Sequence, residues 1–198
     1  MKLACMMMLI LAIAGIYRVE AQTNFTLKSS KASVQGTSSL HDWESEIIQM
    51  ACKGSFLIKS NALQSVKDVE IKIPVTGIKS KEGRTMDNKT YKAFKSDKNP
   101  FIIYSLTLAQ VINDDHQDAT IEASGNLKMA GSTQPVMLTV KSKLLANGDL
   151  QLSVSKKIKM TSYKIKPPTA LFGTIKVGNE LTVIFDLVMT PSSSNQPQ

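Results

Sequence analysis

The chain has 198 residues, of which 42% are hydrophobic, 20% charged and 6% aromatic, and its formal net charge is +8. This length suits one sizeable domain and is short for two. Ten glycines and seven prolines are far too few for a collagen-like or low-complexity chain, and the apolar content excludes wholesale disorder. The composition therefore predicts a single globular domain.

The N-terminus carries the features of an export signal. Its apolar run covers residues 3–16, which is shorter than the roughly 20 residues of a membrane-spanning helix. Val19 and Ala21 place small residues where a signal peptidase requires them. We therefore predict a removed signal peptide over residues 1–21, cleavage near Ala21 and a periplasmic or secreted protein. An N-terminal core helix is the alternative.

The rest of the chain has the pattern of long, half-buried strands. Val69, Ile71 and Ile73 alternate with polar residues, and this period of two recurs along the chain. Turn signals such as Asn147-Gly148 separate the segments and favour antiparallel hairpins. The predicted strands cover residues 25–36, 43–59, 63–76, 100–111, 121–129, 136–140, 150–154 and 181–187. Eight strands are enough to close a barrel that holds side chains or one small ligand.

One segment interrupts this pattern. Residues 86–98 do not alternate, and Asp87, Tyr91 and Phe94 fall at helical offsets. We expect one short helix near residues 87–96, with Asp87 as its N-cap and Asn99-Pro100 as its end. A second short turn is predicted at 168–173. The barrel domain would span residues 22–190, and the polar residues 191–198 would form a disordered tail.

Charge and cysteine content limit the partners of the mature chain. From residue 22 onward there are 22 basic and 15 acidic residues, a net charge of +7. Such a balance suits anionic membrane surfaces, and because the chain is expected to be secreted we predict no nucleic-acid partner. The alternative is a solvated strand face, because Lys141, Lys143, Lys157 and Lys159 alternate. Cys52 is the one cysteine of the mature chain, so no intramolecular disulfide is expected.

Motifs for catalysis are scarce. The chain has two histidines, His41 and His116, and no Gly-x-Ser-x-Gly elbow, phosphate-binding loop, Gly-x-Gly-x-x-Gly or Cys-x-x-Cys sequence. The acidic loop around His116 matches no metal-ligand spacing. We therefore expect no cofactor and no metal. The remaining enzymatic interpretation is an exported lipid hydrolase or isomerase that uses His41 with Asp42 or Glu44.

A series of short motifs, in a fixed order, covers residues 24–189. They are 36–43 (GTSSLHDW), 73–75 (IPV), 78–80 (IKS), 86–87 (MD), 91–95 (YKAFK), 100–102 (PFI), 125–131 (GNLKMAG), 134–136 (QPV), 160–170 (MTSYKIKPPTA) and 172–175 (FGTI). In order and number these motifs resemble the YceI-like family. The resemblance implies an all-β, extended, lipocalin-like antiparallel barrel that holds one long amphiphile, typically a polyisoprenoid, in exported bacterial proteins. It implies no catalytic residues.

The alternation gives a set of candidate cavity residues. Small residues and flexible methionines among them favour a cavity that accepts apolar shapes, and the alternative is a solid core. The candidates are Met50, Cys52, Phe56, Ile71, Ile73, Tyr91, Phe94, Tyr104, Leu106, Ala123, Leu127, Met129, Leu138, Val140, Leu152, Val183 and Phe185. The expected ligand is an isoprenoid or similar lipid.

Basic residues cluster around the non-strand segments. Lys79 and Arg84 precede the predicted helix, and Lys164 and Lys166 flank the Pro-Pro turn. We predict that these four residues contact a polar headgroup at one rim of the barrel. The helix would then be a lid over the opening or, alternatively, a fixed plug. The sequence leaves peripheral membrane contact and a homodimer open.

Overall fold

The computed structural model describes residues 22–113 and 118–192. The predicted signal peptide, the loop around His116 and residues 193–198 of the predicted tail lie outside them. The strands are β1 (Thr23–Ser38), β2 (Trp43–Ile47), β3 (Ala51–Lys59), β4 (Ala62–Pro74), β5 (Ile78–Ser80), β6 (Phe101–Asn113), β7 (Asp118–Met129), β8 (Ser132–Leu144), β9 (Leu150–Lys159), β10 (Thr169–Ala170) and β11 (Ile175–Pro191). Helix α1 covers Arg84–Phe94, and 3-10 turns cover Val75–Gly77, Met160–Tyr163 and Leu171–Gly173.

Eight of these strands form a closed ring. Their order is β1, β3, β4, β6, β7, β8, β9 and β11, and β11 pairs back with β1 along most of its length. Every pairing in the ring is antiparallel. The predicted eight-stranded antiparallel barrel with one short helix is confirmed.

The wall of the barrel is interrupted at one side of the end near α1, which we call the open end. Residues 43–59, predicted as one strand, form β2 and β3 with a break at 48–50, and the segment after β4 turns at Val75–Gly77 before β5. The hydrogen-bonded ladder continues across both breaks, because β2 pairs with residues 33–36 of β1 and with β5. Helix α1 begins shortly after β5.

Helix α1 begins earlier than predicted. It starts at Arg84 after Gly83, whose φ is +84°, so Asp87 lies within its first turn and is not the N-cap. Asp87 instead accepts a hydrogen bond from the Ser80 N–H at 2.7 Å. The helix ends at Phe94, before the predicted stop, because Lys95 adopts a left-handed conformation.

A dense core fills the end of the barrel opposite α1, where the β3–β4 and β8–β9 hairpins lie. Phe25 and Phe56 are 1% exposed and pack edge to face, with ring centroids 5.2 Å apart. We call this closed-end core the cluster of Phe25, Cys52, Phe56, Leu63, Val66, Ile121, Ala123, Leu144, Leu150, Leu152, Leu187 and Met189. Strand β11 runs to Pro191, one residue past the predicted domain end, and Ser192 donates two hydrogen bonds to the Asn24 carbonyl.

Candidate ligand cavity

A cavity of about 240 Å³ lies inside the barrel, between the closed-end core and α1. It is lined by inward positions of the wall strands, which alternate with exposed residues as period two requires. Its apolar lining includes Ile71, Ile73, Ile102, Leu127, Met129, Val136, Leu138, Val154, Ile158, Met160, Ile165, Leu181, Val183 and Phe185. This volume is somewhat below the roughly 300–1,000 Å³ that ligand pockets commonly span, and the lining is mostly apolar, so the space suits one slender apolar molecule.

The floor of the cavity is formed by Val154, Leu138, Phe185 and Tyr104. The next inward residues of the first three strands, Leu152, Val140 and Leu187, belong to the closed-end core or pack against it. Tyr104 is 7% exposed, and its hydroxyl has no hydrogen-bond partner among residues 22–113 and 118–192. Burial raises the pKa of Tyr104, so the hydroxyl remains a proton donor at neutral pH.

The mouth of the cavity is covered by α1. Met86, Lys89, Thr90, Ala93 and Phe94 line the cavity and fall on one helical face. The opposite side of the mouth is the segment with Leu40, His41 and Trp43, together with Pro168, Thr169 and Ile175. The Lys89 Nζ donates to the Thr169 carbonyl at 3.1 Å, which ties α1 to the far rim.

A second group of contacts fastens α1 to the wall. The Lys79 Nζ donates to the Tyr91 hydroxyl at 2.8 Å and lies 3.6 Å from the Asp87 carboxylate. The Tyr91 hydroxyl donates to the Thr76 carbonyl at 3.0 Å. These partners raise the pKa of Lys79, with the Tyr91 hydrogen bond as the largest cause. Lys79 and Tyr91 therefore hold the helix against the strand that precedes it.

The structure separates the predicted cavity residues into two groups. Nine line the cavity: Ile71, Ile73, Phe94, Tyr104, Leu127, Met129, Leu138, Val183 and Phe185. Eight do not, of which Met50, Cys52, Phe56, Leu106, Ala123, Val140 and Leu152 belong to the closed-end core or pack against it, and Tyr91 faces the wall. Bulky partners from other strands fill the space around those seven residues.

None of the four predicted headgroup residues lines the cavity. Lys79 is engaged with Tyr91 and Asp87, and Arg84, Lys164 and Lys166 are exposed. The Pro-Pro segment places Ile165, not its flanking lysines, against the interior. The lysines that line the cavity are Lys89 and Lys156, which the predicted set omits. The sequence held a signal for Lys156, because it continues the inward alternation of Leu152 and Val154.

The arrangement around His41 does not support a general base. His41 is exposed at the mouth, and its Nδ1 lies 2.7 Å from the Asp42 backbone carbonyl. The Glu44 carboxylate bonds to Lys81 and Gln35, and the Lys81 hydrogen bond is the largest cause that lowers the pKa of Glu44 to about 2. Neither carboxyl group is positioned to orient the imidazole.

The part of the chain that the structure describes has no assembled site for thiol or metal chemistry. Burial raises the pKa of the Cys52 thiol to about 12, so it acts as a small apolar side chain. No group of three or more potential metal-ligating residues occurs within residues 22–113 and 118–192. Over the same residues, no helix has the length and hydropathy needed to cross a bilayer.

Comparison with known proteins gives a family and a fold. The family model described as YceI-like domain matches residues 17–189. BcnA of Burkholderia cenocepacia is 17% identical, with a TM-score of 0.59 and coverage of 81% of this chain and 96% of BcnA. A polyisoprenoid binding domain from Saccharophagus degradans, implicated in plant cell wall breakdown, is 9% identical, with a TM-score of 0.65 and coverage of 85% and 98%.

A YceI protein of Campylobacter jejuni is 15% identical, with a TM-score of 0.54 and coverage of 74% of this chain and 86% of that one. At these identities the likeness to solved structures establishes the fold. No curated protein matches the chain.

Proposed function

The chain belongs to the YceI-like domain family, and we propose that it is an exported protein that binds one isoprenoid or similar long amphiphilic molecule inside its barrel. Its role would be carriage, storage or sequestration of that lipid outside the cytoplasm. The observation that carries this proposal is the apolar cavity, which ends at the closed-end core and is covered by α1. The polyisoprenoid binding domain from S. degradans has the same fold, which supports a chain-like ligand.

Apolar burial is sufficient to hold such a ligand. Each buried methylene gains about 0.8 kcal/mol, so a fifteen-carbon chain gains on the order of 12 kcal/mol before the loss of its freedom is subtracted. Met129 and Met160 line the cavity and are flexible enough to follow chains of different shape. Binding without chemistry also agrees with the position of His41, whose Nδ1 lies beside the Asp42 backbone carbonyl and not beside a carboxylate of the described residues.

The test is the recovery of a bound lipid. We expect the mature protein, purified from its host and extracted with organic solvent, to yield an intact lipid in near-stoichiometric amount by mass spectrometry. Leu138→Trp fills the floor of the cavity and should abolish this recovery. Met137→Trp is the matched control, because Met137 directly precedes Leu138 in β8 and is 71% exposed.

Both variants should retain a cooperative thermal transition. Lipid retained equally by Leu138→Trp and Met137→Trp would place it outside the barrel and contradict the proposal. A parent protein that yields no lipid above background, and binds no added prenyl lipid, would contradict it as well.

A further inference from the structure

Lys156 occupies an inward position of β9, close to the floor of a mostly apolar cavity that Glu82 and Lys89 also line. Val154, Lys156 and Ile158 line the cavity in turn, whereas Lys157 and Lys159 face solvent. In the β9–β11 ladder Lys156 lies opposite Val183, which also lines the cavity. The first inward residue below Val154 is Leu152, a member of the closed-end core. Lys156 is therefore two inward positions from the core.

The ammonium group of Lys156 has no ion-pair partner within residues 22–113 and 118–192, although Glu82 also lines the cavity. Among the described residues no carboxylate lies within ion-pair distance of its ammonium group, whereas the adjacent Lys157 is 3.0 Å from Glu180. The Lys156 side chain is half-buried, and an ammonium group partly removed from water is stabilised when an anionic partner enters the cavity. The cavity therefore favours an occupant that brings a negative charge.

Tyr104 supplies a second polar group to the same space. It lies on β6, three strands from β9 around the ring, so it faces the cavity from a different wall. Its hydroxyl is buried and unpartnered within residues 22–113 and 118–192. An unpaired buried hydroxyl is costly, and after a small shift of the ring towards the open space a ligand oxygen at the floor would satisfy it.

We propose that Lys156 and Tyr104 bind the oxyanion head of an acidic single-chain amphiphile, which enters the barrel head first. The ammonium and the hydroxyl donate to the head near the floor, and the apolar chain extends past Ile158 and Leu127 towards α1. This inference deepens the proposed function and depends on it. A fatty carboxylate and a prenyl monophosphate share this head chemistry, and the experiment separates them.

The experiment compares acids with the matching alcohols. Dissociation constants are measured for tetradecanoate, tetradecanol, farnesyl monophosphate and farnesol with the delipidated mature protein. The parent should prefer the acid to its alcohol by about tenfold or more in at least one pair, as expected for a charge-assisted hydrogen bond. The pair with the larger ratio identifies the class of head.

Lys156→Met should remove that preference and leave alcohol binding within about threefold, because methionine keeps the apolar stem without the charge. Tyr104→Phe should weaken the acid by about three- to tenfold. Lys159→Met is the matched control on the exposed face of the same strand and should change nothing. Melting temperatures verify that each variant is folded.

The outcomes separate this inference from the proposed function. If Lys156→Met weakens acid binding and alcohol binding equally, the head site is overturned. The same holds if Lys159→Met loses as much acid binding as Lys156→Met does. In both cases the barrel remains a lipid-binding protein. A parent protein that binds each alcohol as tightly as the matching acid also overturns the head site. A parent that binds none of the four compounds overturns both proposals.

The orientation can be read from Trp43, the one tryptophan of the chain, which lines the cavity at its mouth. Bromine quenches tryptophan fluorescence at short range. Head-first binding predicts that hexadecanoate brominated at its last carbon quenches Trp43 more than hexadecanoate brominated at carbon 2. Equal or reversed quenching, with both acids bound to saturation, overturns the head-first orientation.

Discussion

Gly125 determines the position of the Tyr104 ring at the floor of the cavity. A Cβ atom placed on Gly125 would lie 2.6 Å from two ring atoms of Tyr104 and 2.6 Å from the Ser105 carbonyl oxygen. The ring can move, but the carbonyl belongs to the backbone of the neighbouring strand. The close approach of β6 to β7 at this point therefore requires a residue without a side chain.

This predicts a specific cost for Gly125→Ala. Overpacking should lower the free energy of unfolding by about 1–3 kcal/mol, because β6 and the Tyr104 ring must both shift. Urea denaturation measures the change. Asn126→Ala is the control, since Asn126 is the next residue of β7 and is exposed, and it should stay within about 0.5 kcal/mol of the parent. An unchanged midpoint for Gly125→Ala would show that the floor relaxes freely.

At the scale of single elements, α1 is the feature that decides access to the cavity. Its apolar face, with Met86 and Phe94, covers the mouth, while Tyr91 and Asp87 connect it to the wall. Most of these tethers are single polar contacts, in contrast to the continuous ladders of the barrel. Elements held in this way open more readily than the core. The helix is therefore suited to act as a lid.

Hydrogen exchange distinguishes a lid from a plug. A lid predicts that amides of residues 86–98 exchange faster than those of β7 in the lipid-free protein and become protected when lipid is bound. Phe94→Ala should then speed lipid release more than it lowers stability. Unchanged protection in both states, or a loss of several kcal/mol in Phe94→Ala with unchanged release, would identify α1 as a fixed part of the core.

The sequence predicted which side chains face inward, because period two is a property of a strand, but it could not predict how deep they lie. Cys52 and Ile71 are directly opposite in the β3–β4 ladder, yet Cys52 belongs to the closed-end core and Ile71 lines the cavity. Depth depends on the stagger of strands around the ring and on partners distant in sequence. The tethers of α1 were equally hidden, since they use the backbone N–H of Ser80 and the backbone carbonyl of Thr76, which every residue type carries.

At the scale of the whole molecule, the open end combines exposed apolar and basic side chains. Phe172 is fully exposed and Leu40 is 67% exposed. The two segments are connected, because Ser39 hydrogen-bonds to the Lys176 backbone in both directions. Lys164, Lys166 and Lys176 are exposed on the same segment as Phe172. Apolar tips among cations are typical of surfaces that contact an anionic bilayer.

We expect this rim to place the mouth against a membrane, where an amphiphile can move between bilayer and barrel. Replacing Leu40 and Phe172 together by serine should weaken binding to vesicles of phosphatidylcholine and phosphatidylglycerol by about tenfold or more, because two large apolar side chains no longer enter the interface. Cosedimentation measures the binding, and added salt should weaken it for the parent, since the lysines act through screened charges.

Met137→Ser, which removes an apolar side chain that is 71% exposed on the barrel wall, is the control and should bind like the parent. If the double variant also binds like the parent, or if the parent binds neutral and anionic vesicles equally at low salt, the rim is not the docking surface and lipid must reach the cavity by another route.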